Sequence, residues 1–308
     1  MLRLKHISLV VLCLLGLSLS AQQIQQFTQY QWVGLSFNPA FAGSDNLFNA
    51  YATHRTQWAG INDAPRTYQL GLHAPSKSGK MGFGGTLITD VAGPTKRFGF
   101  QGAYAYHLQV SETTKLSLGA SFGLTQFTID GSQITLRETG DKALDGSMQS
   151  ELKPDASFGV LWYADKFKVG VSAMQILNNT LELFPGDGDG NMAIHYYFTG
   201  SYLFNVSEVI DIEPSALIKY VDPVPAQVDI SARVIYKSNL WLGGSYRTND
   251  AIAIFAGYNV LDYLTLGYSY DYATSDIQTY TNGTHEILIK LRFGKNQLIE
   301  ENKEKPQP

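Results

Sequence analysis

Apolar and polar positions alternate along much of this chain, most plainly from Ile252 to Tyr272. Every second residue there reads Ile252, Ile254, Ala256, Tyr258 and Val260, then Leu264, Leu266, Tyr268, Tyr270 and Tyr272. The residues between them, including Gly257, Asn259, Thr265, Ser269 and Asp271, are smaller or more polar. Period two marks a β-strand with unlike faces. Two such strands joined through Leu261, Asp262 and Tyr263 predict an antiparallel hairpin. Each is about nine residues long, enough to cross a bilayer at a tilt.

The same pattern predicts fourteen strands, at 47–56, 66–74, 81–90, 96–108, 114–129, 154–164, 167–177, 193–205, 209–220, 226–236, 240–247, 251–260, 264–272 and 284–293. An even number suits a bacterial barrel with both ends on one side. No helical period competes over a comparable length. Pro214 cannot donate to a strand ladder, so it predicts a bulge or a later start for the ninth strand.

Connection lengths add an orientation. The three longest, Asp130 to Lys153, Asn178 to Met192 and Ala273 to Gly283, all follow odd-numbered strands, while Asp165-Lys166, Lys237-Ser238-Asn239 and Leu261-Asp262-Tyr263 are tight. Long loops at one end and short turns at the other belong to outer-membrane barrels, and place both termini in the periplasm.

Charge sharpens the membrane reading. One strand parity holds Phe98, Phe100, Tyr104 and Tyr106, or Ile287, Ile289, Leu291 and Phe293, without charge. The other holds Arg97, Asp211, Glu213, Lys219, Asp229, Arg233, Asp271, Glu286, Lys290 and Arg292. Lys or Arg on a lipid face at mid-bilayer costs about 2–4 kcal/mol, so Arg97, Asp229, Arg233, Asp271, Glu286 and Arg292 are expected to line the lumen. Tyr106, Tyr220, Tyr236 and Tyr272 near strand ends suit interfacial girdles. A soluble barrel with an apolar interior would alternate too, but export, strand length, loop asymmetry and an aromatic last strand favour the membrane.

The export signal is read at residues 1–21. Basic Arg3 and Lys5 precede an apolar run from Ile7 to Leu19, too short to span a membrane, and Ser20-Ala21 offers small residues for cleavage. Cys13 lies inside that run behind Leu12, where a lipoprotein signal needs a small residue, so the mature chain is expected to lack cysteine. Disulfides and thiolate metal sites are then excluded. Charged residues make up 16% of the chain, against about 25% in soluble proteins, and the net charge of −4 gives no nucleic-acid reading.

Residues 22–46 precede the strands. They are polar yet carry Phe27, Tyr30, Trp32, Phe37 and Phe41, too aromatic for a free tail, and are expected to dock in the periplasm or plug the lumen. The barrel itself is expected over 47–293, with a polar tail at 294–308 whose simplest reading is disorder.

Catalytic and metal readings are weak. His54, His73, His107, His195 and His285 fall on separate strands without ligand spacing or a neighbouring nucleophile motif, and such histidines are usually solvated. Asp187-Gly188-Asp189-Gly190 resembles a calcium loop but lacks the closing glutamate. Neither an enzyme nor a cofactor is expected. A fourteen-stranded barrel with a charged lumen is also compatible with a channel for a small solute, although opposite charges would equally pair across strands and fill it.

Several motifs in order carry a family resemblance. They are Phe27-Thr28-Gln29-Tyr30, Asn38-Pro39-Ala40-Phe41-Ala42-Gly43, Arg55-Thr56-Gln57-Trp58-Ala59-Gly60, Asp63-Ala64-Pro65-Arg66-Thr67, Gly93-Pro94-Thr95 and Tyr104-Ala105-Tyr106. Later come Gly243-Gly244-Ser245-Tyr246-Arg247, Gly267-Tyr268-Ser269-Tyr270-Asp271-Tyr272 and Asn282-Gly283-Thr284-His285-Glu286. Together they resemble the PorP/SprF family, outer-membrane barrels of the type IX secretion system and gliding machinery of the Bacteroidetes. Gln25-Gln26 stands where that family usually has Asp-Pro, and Phe293 is not the last residue.

The resemblance implies an outer-membrane, non-enzymatic protein that assists secretion or surface anchoring of proteins with C-terminal sorting domains, gliding adhesins being one class. Periplasmic secretion-machinery proteins and membrane lipid are the other implied partners. Asn38, Pro39 and Gly43 are then candidate partner contacts, or else brace a plug. Gln57, Trp58, Gly60, Ala64 and Pro65 form a docking loop or one that packs on its own barrel, and Gly93-Pro94 is a further candidate.

Overall fold

The computed structural model describes residues 24–134, 147–183 and 190–294. Fourteen strands close into one antiparallel barrel. They are β1 Phe48–Thr56, β2 Arg66–Pro75, β3 Met81–Ala92, β4 Thr95–Gln109, β5 Lys115–Asp130, β6 Met148–Tyr163, β7 Phe167–Met174, β8 His195–Tyr202 (resuming at Phe204–Asn205), β9 Ile210–Val221, β10 Val224–Tyr236, β11 Leu240–Arg247, β12 Ala251–Leu261, β13 Leu264–Ala273 and β14 Thr284–Phe293. Each strand pairs with its sequence neighbour, and β1 closes on β14 from Phe48↔Phe293 to Thr56↔His285.

The pleat separates a dry surface from a polar interior. On β12, Ala253 and Phe255 point inward and are buried, while Ile252 and Ile254 point outward at 51% and 62% exposure. Inward on other strands lie Thr53, Gln69, Ser117, Thr125, Ser157, Ser172, Ser245 and Ser269, all buried. Pairing of β1 with β14 leaves no open seam in the barrel, and a continuous belt of outward Leu, Ile, Val, Phe and Tyr needs lipid to cover it. A soluble barrel would carry the opposite parity.

Strand limits differ from the sequence reading where local cues misled. β6 begins at Met148, not at 154, because Gln149, Glu151 and Lys153 continue its inward parity and pair with β5 as far as Asp130↔Met148. The β5–β6 hairpin is therefore sixteen residues a side, longer than the roughly 9–11 that cross a bilayer. β7 stops at Met174. Pro214 causes neither a bulge nor a late start: it lies inside β9, paired with Ala232, and the β8–β9 ladder is interrupted between Ser201↔Ser215 and Phe204↔Ile212, at Tyr202 and Leu203 opposite Pro214 and Glu213. The absent N–H is accommodated by a gap in the partner strand.

The two mouths are unlike. Short turns such as 164–166, 237–239 and 262–263 gather at the end where β1 starts and β14 finishes, and longer connections such as 57–65 and 274–283 lie at the other. Residues 24–46 run down the lumen between them. Ile24 donates its N–H to His195 at the loop end, and Gly43 donates its own to His73 at the turn end. The start of the described chain and the start of β1 thus lie at opposite mouths, whereas the expectation put both termini on one side. Strand count fixes only where β1 and β14 end; the path of the preceding segment is set by lumen contacts.

Candidate functional site in the filled lumen

The N-terminal segment is held by side chains from nearly every part of the wall. At the loop end, Thr28 and Gln29 donate their N–H groups to the two oxygens of Glu286 at 2.8 and 3.0 Å. The Thr28 hydroxyl donates to Asp271 at 2.7 Å and accepts from Arg55 and Arg247, each at 3.1 Å. Arg55 bridges Asp271 at 2.8 Å and Glu286 at 3.1 Å; Arg247 bridges Asp229 at 3.0 Å, Asp250 at 3.0 Å and Asp271 at 3.2 Å. Arg55, Arg247, Asp229, Asp271 and Glu286 are all fully buried. Charges so desolvated persist only when paired and hydrogen-bonded, and the segment supplies part of that satisfaction.

In mid-lumen, Tyr30 hydroxyl joins Ser215 and Ser231, and Phe37 packs against Phe27 and Tyr197. Burial pushes the Tyr30 phenol up to about 12, so it stays a neutral hydrogen-bonding group. Trp32 stacks on Trp241 with ring centroids 4.9 Å apart, and Arg233 lies 4.0 Å over its face while its Nε donates to Glu213 at 2.8 Å.

Toward the turn end the chain tightens into two short 3-10 turns, Gly34–Ser36 and Pro39–Phe41. Asn38 caps the second by accepting from Ala40 N–H, and its amide donates to the Val160 and Val171 carbonyls of β6 and β7 at 3.0 and 3.2 Å. The wall opposite is glycine for steric reasons. A Cβ on Gly82 would overlap the Ala42 carbonyl, and one on Gly119 the Ala40 backbone. Asp45 closes the segment through Lys168 at 2.9 Å. The Lys168 ammonium holds the Asp45 carboxyl well below the usual carboxylate range.

Three histidines read from sequence as solvated do something else. His73 accepts from Gly43 N–H, His107 bonds the Ala42 carbonyl at 2.9 Å and Tyr163 hydroxyl at 2.9 Å, and His195 accepts from Ile24 N–H. All three are buried. His54 and His285 sit on the outer face beside Tyr68 and Tyr268.

The candidate residues thus separate into groups. Arg97, Asp229, Arg233, Asp271, Glu286 and Arg292 all face the interior. Arg97 lies 5.4 Å from the Phe127 ring. Asn38, Pro39 and Gly43 are buried against the wall; the Asn38 amide and the Gly43 N–H donate to the barrel, while the Pro39 carbonyl accepts from Ala42 N–H within the segment.

Gln57, Trp58, Gly60, Ala64 and Pro65 form one folded patch at the loop end. Gln57 N–H meets Pro65 carbonyl, Ala59 exchanges two backbone bonds with the 282–283 turn, and Gly93 N–H joins Asp63 carbonyl next to Pro94. Trp58 is held at φ 51, where Thr284 accepts its N–H, and Gly60 at φ 97.

Sequence reasoning left Arg55 and Arg247 out of the lumen charges. The inward run Tyr51, Thr53, Arg55 and the position of Arg247 opposite Asp229 carried the signal. Among the described residues no group of three or more His, Cys, Asp or Glu is arranged to hold a metal, and Asp187 and Asp189 lie outside the described residues.

Several solved structures align with this chain. The CymD monoaromatic hydrocarbon channel aligns at 12% identity over 84% of this chain and 91% of its own, with a TM-score of 0.51. The Ralstonia pickettii toluene transporter TbuX aligns at 10% identity over 83% and 92%, TM-score 0.49, and Acinetobacter baumannii Omp33 at 10% over 81% and 99%, TM-score 0.46. At such identity the likeness concerns the fold alone. No curated relative matches the sequence. Residues 19–291 match the sequence model described as type IX secretion system membrane protein PorP/SprF, which spans all fourteen strands but the last two residues of β14. This chain therefore belongs to the PorP/SprF family of type IX secretion system membrane proteins.

Proposed function

We propose that this barrel is a non-enzymatic scaffold of the type IX secretion system in the outer membrane, assisting export or surface retention of proteins with C-terminal sorting domains, gliding adhesins among them. The filled lumen carries this reading. A solute channel needs a continuous wet path with sites weak enough to release the solute, and here the centre is occupied by Phe27, Val33, Leu35, Phe37, Ala40 and Ala42, all buried. The interior charges have an evident task in clamping this segment.

On this reading residues 1–21 are an export signal and the long connections face outward. The patch of Gln57–Pro65 with Gly93-Pro94 is then the docking surface for the secreted protein, on a rim made rigid by its own backbone bonds. The short turns face the periplasmic machinery. Asn38, Pro39 and Gly43 act for partners through the segment they anchor.

The test is purification of the barrel from mildly solubilised outer membranes of its host, with mass spectrometry, alongside planar-bilayer recording. Co-purification of a large surface protein with a sorting domain, or of periplasmic machinery, with electrically silent barrels, is the expected result. A barrel isolated alone that conducts steadily and selects among solutes would sink the proposal in favour of transport.

A further inference from the structure

The segment leaves space near the turn end. Two cavities of about 210 and 140 Å³ lie there beside Trp32, and both are lined by Arg233, Lys290 and Arg292. Around the larger, four cations (Lys168, Arg233, Lys290 and Arg292) meet two carboxylates, Asp45 and Glu213. Glu213 is engaged by Arg233 and Asp45 by Lys168. Lys290 reaches Asp45 only at 3.9 Å. Arg292 has no ion pair among the described residues, and its Nε is buried without a hydrogen-bond partner.

A second unsatisfied donor lines the same space, the buried hydroxyl of Ser44. Buried cationic donors without acceptors are costly, and an anion in the cavity would remove the cost. The cavity is reachable: the side chains of Lys168 and Asp45 at its edge are 37% and 31% exposed.

We infer that this vestibule binds a small soluble oxyanion, a phosphate or carboxylate group, between the Lys290 ammonium and the Arg292 guanidinium. The guanidinium offers a planar fork to two oxygens and the ammonium a point charge, the combination that recognises such groups. Trp32 and Trp241 stand beside the site, so occupancy has an optical signal. The inference does not depend on which secreted protein the barrel serves.

Inorganic phosphate and, separately, succinate are titrated into the detergent-purified full chain at low ionic strength, reading tryptophan fluorescence and thermal unfolding. A saturable response to either anion is expected. Arg292→Gln and Lys290→Gln should each weaken it about tenfold or more, and Lys237→Gln, whose side chain lies over the Tyr236 ring and lines neither cavity, should leave it unchanged. Heat-modifiable gel mobility verifies that each variant is folded.

No saturable response, or one that both folded cavity variants retain in full, overturns the inference. So does a response seen only after removal of residues 295–308, which would give the site to the chain's own tail. A response to vesicles containing phosphatidate with none to free phosphate would assign the charges to lipid instead.

Discussion

The backbone N–H of Thr28 donates to the Glu286 carboxylate at 2.8 Å, although 258 positions separate the two residues in the chain. The other Glu286 oxygen takes the N–H of Gln29, and Arg55 supplies the counter-charge. The first segment after the proposed signal and the last strand are thus joined through one carboxylate. Truncating one member of such a buried set leaves the others uncompensated, at about 3–5 kcal/mol. Glu286→Ala is expected to lower the free energy of unfolding in urea by that order, with a lower midpoint, and to make residues 24–46 cleavable by added protease. Glu286→Gln, which keeps an acceptor, should lose less.

Removing the segment should convert a closed barrel into an open one. The wall exposed by deletion of residues 24–46 carries Thr53, Gln69, Ser117, Ser121, Ser157 and Ser172, a surface that water wets. Stepwise conductance in a planar bilayer is expected from the deletion and none from the full chain.

Displacing the segment without deleting it should act in the same direction. Valine at Gly82 or Gly119 would intrude on Ala42 or Ala40, and overpacking of this kind costs typically about 1–3 kcal/mol. Thermal unfolding of Gly82→Val and Gly119→Val should shift down, whereas Gly79→Val, where a Cβ meets nothing within 4 Å, should feel only its local backbone strain at φ 69.

The Asp45–Lys168 contact gives an acid limb to stability. Lys168 lowers the Asp45 carboxyl in the folded protein, so the unfolded chain binds its proton first as pH falls. The contribution is complete above the unfolded value near 4 and is lost progressively as pH falls below it toward the folded value. Unfolding midpoints measured from pH 7 to pH 2 should show a steeper acid decline for the natural chain than for Asp45→Asn. Both contact side chains are about a third exposed, so added salt should shrink the difference.

The outward belt is tested by charge. Ile254 lies on the lipid-facing parity at 62% exposure, and Lys there should destabilise folding into a bilayer, by up to the roughly 2–4 kcal/mol that a midplane Lys costs. The neighbouring inward Ala253 should tolerate serine with a far smaller change, measured by folding into vesicles.

The sequence alone determined the barrel. Alternation is written residue by residue, so the parity of Ile252, Ile254, Tyr270 and Tyr272 identified the dry face, and the strand count followed from where alternation stopped. It failed at Met148–Lys153, where the outward face of β6 reads Met148, Ser150 and Leu152, an apolar alternation broken by serine and ended by Pro154, too short to mark a strand locally.

The tertiary structure decided what fills the barrel. Residues 24–46 have no period, and their bonds reach from Ser36 with Tyr51, 15 residues away, to Thr28 with Glu286. Which histidines clamp a backbone, where glycine is obligatory and how Arg55 and Arg247 are neutralised depend on distances set only once β1 meets β14. A pleat is a local property of the chain, while a lumen and its contents exist only after closure.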